Sequence, residues 1–447
     1  MGVSTCQPFY AWYRHGAGRA DDRRQAPQSK SGWSGRAFAG LIAGALLVAS
    51  TVRAENIRVA TFNVELMRDG PGLMLRDILN GQDAQANAVV AVIAEVSPDV
   101  LLLTGFDYDR GGAALSALAG RLADQGAAYS HVFAQRPNTG MMTAFDLDGD
   151  GAFRGPGDAQ GFGHYSGEGG MAILSRLPLD ADGARDFSDY LWRDLPGNLL
   201  AEAGYSAEAV DELRLSTTAH WDVPVTMPDG TTLHVLAYSA APPVFDGPED
   251  RNGRRNHDET AFWTLYLDGV LPWPAPKAPV VILGDGNLDS EDGDGRRNAI
   301  TALLSDARLQ DPAPVSDGGR AGAEQGGPNA TQKGDPARDT ADWPEDTGPG
   351  NLRVDYVLPS AGLRVIGSGV YWPTPGTPAA NVAMAASRHR LVWVDIEMPQ
   401  AQLRLTRRTT LARRTGNAFS LWESLPWPIL PFLSLPVTAS APKSWPR

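Results

Sequence analysis

Short apolar runs alternate with longer amphipathic stretches along the chain from Ile57 onward. The short runs, rich in valine, isoleucine and leucine, are typical of buried strands, whereas apolar residues at helical spacing predict helices. The pattern predicts strands at 57–62, 100–103, 171–175, 279–285, 352–359 and 390–398. It predicts helices at 83–99, 113–125, 258–271 and 298–307.

A hairpin and two long loops complete this pattern. Residues 225–239 read as a hairpin around a Pro-Asp-Gly turn at 228–230, which excludes an all-parallel sheet. The stretches 137–170 and 313–350 are rich in glycine and aspartate and predict long loops. Mixed strands with intervening helices indicate an α/β fold with sheets inside and helices outside.

The segment before the first strand has the plan of a secretory signal. Arg36 precedes the apolar run 37–49, and small residues lead to a cut predicted after Ala54. The alternative is an uncleaved anchor, although the run is short for a bilayer span. The single cysteine, Cys6, precedes the cut, so the mature chain would lack cysteine. We therefore expect a periplasmic or secreted protein without a transmembrane span in the mature chain.

Composition divides the chain into three parts. We expect an N-terminal extension and signal peptide at 1–54 and one folded domain at 55–399. Residues 400–447 are first basic and then apolar with many prolines, which prevent a spanning helix and place this tail outside the fold. The sequence gives no indication of the oligomeric state.

The overall charge restricts the partners. Of the 447 residues, 43% are hydrophobic and 20% charged, as in ordinary soluble proteins, and the net charge is −13. The chain thus lacks the broad basic face that non-specific duplex binding requires. Arg251 and Arg254 could still form a local phosphate clamp. Alternatively, these arginines pair with the acidic residues beside them, Glu249, Asp250 and Asp258.

Polar side chains follow or enter several predicted strands, namely Asn63, Glu65, Asp285, Asn287, Asp355 and His389. Asp355 lies in an apolar strand and needs a partner, because an unpaired buried carboxylate is costly. His389 is the natural candidate, since a carboxylate that holds an imidazole orients a general base. The alternative is that Asp355 pairs with an arginine and His389 is exposed.

Six segments together resemble the endonuclease/exonuclease/phosphatase superfamily, with its deoxyribonuclease-like fold, over roughly residues 55–398. They are TFNVE, PDVLLLT, GMAILSR, VVILGDGN, RVDYVLP and HRLVWVDI, in the order and spacing of that superfamily. The stretch 242–259 also resembles exported bacterial members. The resemblance implies a two-sheet β-sandwich flanked by helices.

The resemblance also implies an activity, which is cleavage of phosphoester bonds with a divalent cation, usually magnesium. The partner would then be a phosphorylated small molecule or a nucleic acid. By motif match, Asn63 would lie at the metal and the phosphate. Asp285 and Asn287 would position the nucleophilic water and the phosphate, and Asp355 would orient His389.

Three positions depart from the superfamily pattern. Gly105 stands where a metal-binding glutamate is expected, Ser239 where a phosphate-holding histidine is expected, and Arg388 where an aspartate is expected. One hypothesis is an exported phosphoesterase with impaired catalysis. The other is an inactive member that binds a phosphorylated ligand or partner.

Two further hypotheses concern the metal. Asp107, Asp109 or Glu65 would replace the missing carboxylate as a metal ligand. Otherwise Arg388 would replace the cation, lying near Asn63 or Asp285 in room left by Gly105 and binding phosphate. The alternative for Arg388 is a solvent-exposed side chain.

An aspartate repeat in the first long loop resembles the start of a calcium-binding loop. Asp146, Asp148 and Asp150 alternate before Gly151, but Gly157 falls where the closing bidentate ligand is expected. Calcium at this loop and a solvated acidic loop are the two alternatives.

Overall fold

The computed structural model describes residues 56–397, so the predicted signal peptide and tail lie outside the described residues. The strands are β1 (Asn56–Leu66), β2 (Val100–Phe106), β3 (His131–Phe133), β4 (Gly170–Ser175), β5 (Arg185–Asp186), β6 (Ala219–Thr226), β7 (Thr232–Ser239), β8 (Val280–Asp285), β9 (Ala341–Asp342), β10 (Asn351–Leu352), β11 (Asp355–Pro359), β12 (Arg364–Val370) and β13 (Val392–Glu397). The helices are α1 (Leu73–Asn80), α2 (Ala84–Val96), α3 (Ala113–Asp124), α4 (Ala207–Val210), α5 (Arg251–Leu267), α6 (Asn298–Leu304), α7 (Asp317–Gly322) and α8 (Pro378–Ala386).

Two mixed sheets pack face to face. The six-stranded sheet has the order β12-β13-β1-β2-β4-β3, and the five-stranded sheet has the order β11-β8-β7-β6-β5. Apolar side chains from both sheets fill the space between them, including Val59, Leu102, Trp221 and Leu283. Strand β2 is buried along its whole length because helices cover its other face.

Helices form the two outer layers. α1, α2, α3 and α8 cover the six-stranded sheet, and α5 and α6 cover the five-stranded sheet. The predicted α/β fold, a two-sheet sandwich flanked by helices, is confirmed. No helix among residues 56–397 is long and apolar enough to cross a membrane.

The central strands of the two sheets are paired in the same way, and this pairing brings the predicted site residues to one edge. β1 runs parallel to β2 and antiparallel to β13, while β8 runs parallel to β7 and antiparallel to β11. The carboxyl ends of β1 and β8 therefore meet at one edge of the sandwich. Asp355 is the register partner of Asp285, and His389 enters at the same edge just before β13.

Several predicted boundaries were wrong. α5 begins at Arg251 rather than at residue 258, because its first turns bury polar side chains and show no apolar period. The first strand of the hairpin begins at Ala219 rather than at residue 225. The predicted loop 313–350 contains the short helix α7, and helices α1 and α8 and strand β12 were not predicted.

Candidate active site

His389 and Asp355 form a buried pair at the edge where the strands end. The Nδ1 atom of His389 lies 2.9 Å from Oδ2 of Asp355, and both side chains are almost completely buried. This contact orients the imidazole so that Nε2 points toward Asn63, whose Nδ2 atom is 3.5 Å away. The alternative, in which Asp355 pairs with an arginine, is wrong.

Asp285 links the two sheets through amide side chains. Its Oδ2 atom accepts hydrogen bonds from Nδ2 of Asn63 at 2.8 Å and from Nδ2 of Asn287 at 3.1 Å. The backbone of Asn287 adopts a φ of 50°, and its N–H donates to Oδ1 of Asp285 at 3.0 Å. The structure thus brings together the five residues that the sequence motifs indicated, Asn63, Asp285, Asn287, Asp355 and His389.

Thr340 supports this group and was not found by sequence reasoning. Its hydroxyl donates to Oδ2 of Asp355 at 2.9 Å and accepts the backbone N–H groups of Val354 and Asp355, each at 3.0 Å. The other oxygen of Asp355, Oδ1, is buried without a hydrogen-bond partner among the described residues. Thr340 lies in a loop without apolar periodicity, so no sequence signal marks it.

The buried carboxylates control the protonation of the site. Burial alone would lower the pKa of His389, but Asp355 and Asp285 outweigh it and raise the pKa to about 9. Burial raises the pKa of Asp285 to about 7, with a further contribution from Asp355, against the opposing charge of His389. The site therefore contains an imidazole that favours its charged form beside a carboxyl group that titrates near neutrality.

Gly105 does not leave an empty space. It lies next to the last residue of β2 with a φ of +62°, and a Cβ atom added there would lie 2.3 Å from Oδ1 of Asn63. The side chain of Asn63 thus occupies the place that we expected for Arg388. Any larger residue at position 105 would have to displace Asn63 and accept a strained backbone.

Arg388 binds Glu65 instead of Asn63 or Asp285, so the expected placement was wrong. Its Nε and Nη2 atoms contact Oε1 of Glu65, and its backbone N–H donates to Oε2 at 2.8 Å. Burial tends to raise the pKa of Glu65, but the hydrogen bonds from Arg388 and the charge of His389 lower it overall. Arg388 therefore neutralises one of the few carboxylates near Asn63, and its predicted contact with phosphate stays a prediction.

Asp107 and Asp109 have structural partners. Asp107 accepts the backbone N–H groups of Arg68 and Gly169, each at 3.0 Å, and belongs to no three-residue metal-ligand group among residues 56–397. Asp109 accepts three backbone N–H groups at the start of α3. Asp107 therefore does not belong to the ligand group of Asp285, Asp355 and His389. Ser239 lies at the end of β7 as the register partner of Asp285.

The two candidate phosphate-binding arginines are paired with acidic residues. Nε of Arg251 donates to Glu249 at 2.7 Å, and its guanidinium also donates to the Leu147 carbonyl. Arg254 donates to the Glu249 carbonyl at 2.9 Å and to the carboxylate of Glu202 at 2.5 Å. The arrangement favours the structural alternative, and no hydrogen bond or salt bridge within residues 56–397 links either arginine to the His389 group.

In the aspartate loop, residues 146–158, the three carboxylates that lie close together are not the three that we predicted. Asp146, Asp148 and Asp158 offer oxygens that lie within 4.8 Å of one another. Asp150 instead accepts the backbone N–H of Ala152 at 2.6 Å. Asp158 follows the position where a closing ligand was expected, and it is buried with its oxygens bound to backbone N–H groups.

Asp285, Asp355 and His389 could hold a divalent cation, because they offer ligand atoms within 4.8 Å of one another and Oδ1 of Asp355 has no other partner. A bound cation would supply positive charge to polarise a phosphoryl oxygen. Magnesium prefers oxygen ligands alone, whereas position 105 offers no carboxylate here and that of Glu65 is bound to Arg388. With His389 in its neutral form, this mixed nitrogen and oxygen set suits a transition metal better than magnesium.

The chain was compared with sequence models of protein families, and the one for the endonuclease/exonuclease/phosphatase family matches residues 60–389. Among solved structures, an endonuclease/exonuclease/phosphatase from Beutenbergia cavernae is 20% identical, with a TM-score of 0.46, and 77% of this chain and 72% of that chain are covered. Sphingomyelinase C from Streptomyces griseocarneus is 17% identical, with a TM-score of 0.40, and 76% of this chain and 99% of that chain are covered. No curated protein is similar enough to count as a relative. Because the family model matches most of the chain, the protein belongs to the endonuclease/exonuclease/phosphatase family.

Proposed function

We propose that the protein hydrolyses a phosphoester with reduced efficiency. The observation that supports this most is the buried contact of His389 with Asp355, next to the contact of Asn63 with Asp285. Structural ion pairs do not require two carboxylates, an imidazole and two amides to meet at one sheet edge. Perturbed ionisable groups that converge in this way are typical of catalytic sites.

The chemistry of each residue suggests its part in the reaction. Asp285, with a pKa near 7, is suited to accept a proton from an attacking water at neutral pH. His389, charged at that pH, would hold the phosphoryl oxygens and stabilise their negative charge. Asn63 and Asn287 would keep the carboxylate of Asp285 in place and present an amide to the phosphate.

The reduced efficiency follows from the missing carboxylates. Without a glutamate at position 105, and with Glu65 bound to Arg388, the site has fewer oxygen ligands for a catalytic cation. The positive charge that stabilises the phosphate would then come mainly from His389. An imidazolium cannot organise an attacking water as a metal does.

The alternative function is binding of a phosphorylated small molecule or nucleic acid without hydrolysis. The Arg388–Glu65 pair favours it, because an exposed guanidinium at the rim could exchange its carboxylate for phosphate. In this case the site would bind inorganic phosphate, and Arg388→Ala would weaken that binding.

The two functions can be separated with purified protein. Single- and double-stranded nucleic acid, bis-p-nitrophenyl phosphate and p-nitrophenyl phosphate would be tested with magnesium, manganese, zinc, calcium or EDTA. We expect turnover in at least one condition and its loss in His389→Ala. His131→Ala, which changes a histidine of the edge strand β3, is the control. If no condition gives turnover, the result supports binding without hydrolysis. If His389→Ala turns over as fast as the wild type, the proposed catalytic site is wrong.

Calcium is the proposed occupant of the aspartate loop, because its irregular coordination suits oxygens from Asp146, Asp148 and Asp158. Titration with calcium should detect this binding in the wild type and not in Asp148→Asn. Equal binding by the two proteins would identify the segment as a solvated acidic loop.

Export and domain organisation are also proposed. The segment 1–54 would direct export and be cut after Ala54, 55–399 would form the domain, and 400–447 would be a tail. Expression in a Gram-negative host, fractionation and N-terminal sequencing test this. A chain that starts at Glu55 in the periplasm is the expected result, and an intact N-terminus in the cytoplasm contradicts it.

A further inference from the structure

Asn256 is a completely buried amide on α5 that the proposed reaction does not use. Its Nδ2 atom donates to two backbone carbonyls, that of Ala241 at 2.7 Å and that of Gly286 at 2.8 Å. Its Oδ1 atom is buried without a hydrogen-bond partner among residues 56–397. Burial of a polar group is costly unless it is hydrogen-bonded, so the contribution of this side chain lies in the two bonds that Nδ2 donates.

The two carbonyls belong to different turns at the edge that carries the candidate active site. Ala241 follows β7 and Gly286 follows β8, which are parallel neighbours in the five-stranded sheet. The last backbone hydrogen bond of this strand pair joins the N–H of Ala240 to the carbonyl of Asp285 at 2.9 Å. Asn256 therefore ties the two turns together beyond the point where the strand pairing ends.

Glu259 fixes the first of these turns from the same face of α5, since residues three apart lie on one side of a helix. Its Oε2 atom accepts the backbone N–H of Ala241 at 2.7 Å, and its side chain is also completely buried. Both the N–H and the carbonyl of Ala241 are thus bonded to α5. The helix holds this turn in place, and Asn256 extends the hold to the turn after β8.

Asn287 is the active-site residue that this connection supports. It lies beyond the end of β8 with a φ of 50°, and its Nδ2 atom donates to the carbonyl of Ala240 at 2.8 Å and to Asp285 at 3.1 Å. Asp285 itself lies within β8 and has register partners in both β7 and β11. A shift between the two turns would therefore separate Asn287 from its acceptors, whereas Asp285 would stay in its strand.

We propose that Asn256 is a positioning residue for the candidate active site and acts through Asn287. By holding the turn of Ala241 against the turn of Gly286, it keeps the amide of Asn287 directed toward Asp285 and the phosphate. Asn256 is completely buried and does not touch the reacting atoms, so its effect is indirect. The inference rests on the proposed function, because it requires Asn287 to contact the phosphate.

A double-mutant cycle in the full-length protein tests this inference. We would measure kcat/KM on the phosphoester that the wild type hydrolyses fastest, and the affinity for inorganic phosphate by calorimetry, in wild type, Asn256→Ala, Asn287→Ala and the double variant. Asn256→Ala alone should lower kcat/KM by about 10²-fold, because small misplacements of site groups are costly. In the Asn287→Ala background it should lower kcat/KM by no more than about 2-fold, and phosphate affinity should show the same coupling.

Asn138→Ala is the matched control. Asn138 is also completely buried, and its Nδ2 atom donates to two backbone carbonyls, those of Ser188 at 2.6 Å and Ser216 at 2.7 Å. This variant should lose stability in urea unfolding as Asn256→Ala does, but keep wild-type kcat/KM and phosphate affinity. If Asn256→Ala does not fold, Asn256→Ser replaces it in the same cycle, since its hydroxyl can still donate to one carbonyl.

The outcomes separate the inference from the proposed function. If Asn256→Ala causes the same fold-loss in both backgrounds, or if Asn138→Ala causes that loss too, Asn256 is merely structural and the inference is wrong. If the wild type binds phosphate without turnover, coupling in phosphate affinity still supports the inference. A wild type that neither hydrolyses a phosphoester nor binds phosphate would overturn the proposed function and the inference with it.

Discussion

Replacement of Gly105 by alanine tests how tightly the site is built around Asn63. The new Cβ atom would lie 2.3 Å from Oδ1 of Asn63 and 3.1 Å from the backbone nitrogen of Glu65. The Asn63 side chain would have to turn away and lose its 2.8 Å hydrogen bond to Asp285. The backbone would also keep a left-handed φ of +62°, which a residue with a side chain adopts at a cost.

The expected loss of stability has two parts. Left-handed backbone costs about 1–2 kcal/mol for a residue with a Cβ atom. Loss of a hydrogen bond to a charged group costs about 1.5–3 kcal/mol more. Gly105→Ala should therefore lower the free energy of unfolding by about 2.5–5 kcal/mol.

Gly112→Ala is the matched control. Gly112 has a φ of +63°, but a Cβ atom there would have no neighbour within 4 Å. This variant should lose only the backbone part, about 1–2 kcal/mol. Urea unfolding followed by tryptophan fluorescence and circular dichroism measures both. Equal losses in the two variants would refute the steric argument and reopen position 105 to a metal-binding glutamate.

Three further predictions follow from the same contacts. Thr340→Val should lower the free energy of unfolding by about 1–3 kcal/mol, because it leaves buried partners without a hydrogen bond, whereas Thr340→Ser should lose less in the same urea assay. Arg388→Ala should change stability by less than about 1 kcal/mol, since the guanidinium is exposed and Glu65 keeps its hydrogen bonds from the Ser387 hydroxyl and the backbone N–H of residue 388. The variant should nevertheless tighten manganese binding in calorimetry by freeing Glu65; unchanged binding would contradict this. Because the pKa of His389 is higher in the folded than in the unfolded state, protonation of His389 stabilises the fold. This stabilisation is fully present below the unfolded-state pKa of about 6.5. This stabilisation, up to about 3 kcal/mol, should be lost as pH rises through about 9, and His389→Ala should lack that loss in unfolding measured at pH 6 and 9.5.

The central strands and the site residues on them could be predicted from the sequence. Apolar runs such as 100–103 and 279–285 mark strands buried on both faces, and polar residues at their ends stand out against them. Burial of a lone carboxylate is unfavourable in any fold, so the sequence predicted a partner for Asp355 and offered His389 as the candidate. The structure shows that contact.

Other features depend on tertiary contacts that leave no local pattern. Thr340 lies in a glycine- and aspartate-rich loop, where only the folded chain shows what its side chain contacts. The start of α5 was missed because its buried face is polar rather than apolar. Gly105 suggested an empty space, but the neighbouring strand fills it with Asn63. Glu65 was considered as a metal ligand, whereas its position beside Arg388 makes it an ion-pair partner.

The role of Asp285 in hydrolysis is tested by the turnover of Asp285→Asn on whichever phosphoester the wild type hydrolyses fastest. The substitution keeps the shape of the side chain and removes the group proposed to accept the proton. We expect kcat to fall by about 10²–10⁴-fold in Asp285→Asn, whereas His131→Ala should retain wild-type turnover. Wild-type kcat in Asp285→Asn would contradict the proposed role of this site in hydrolysis.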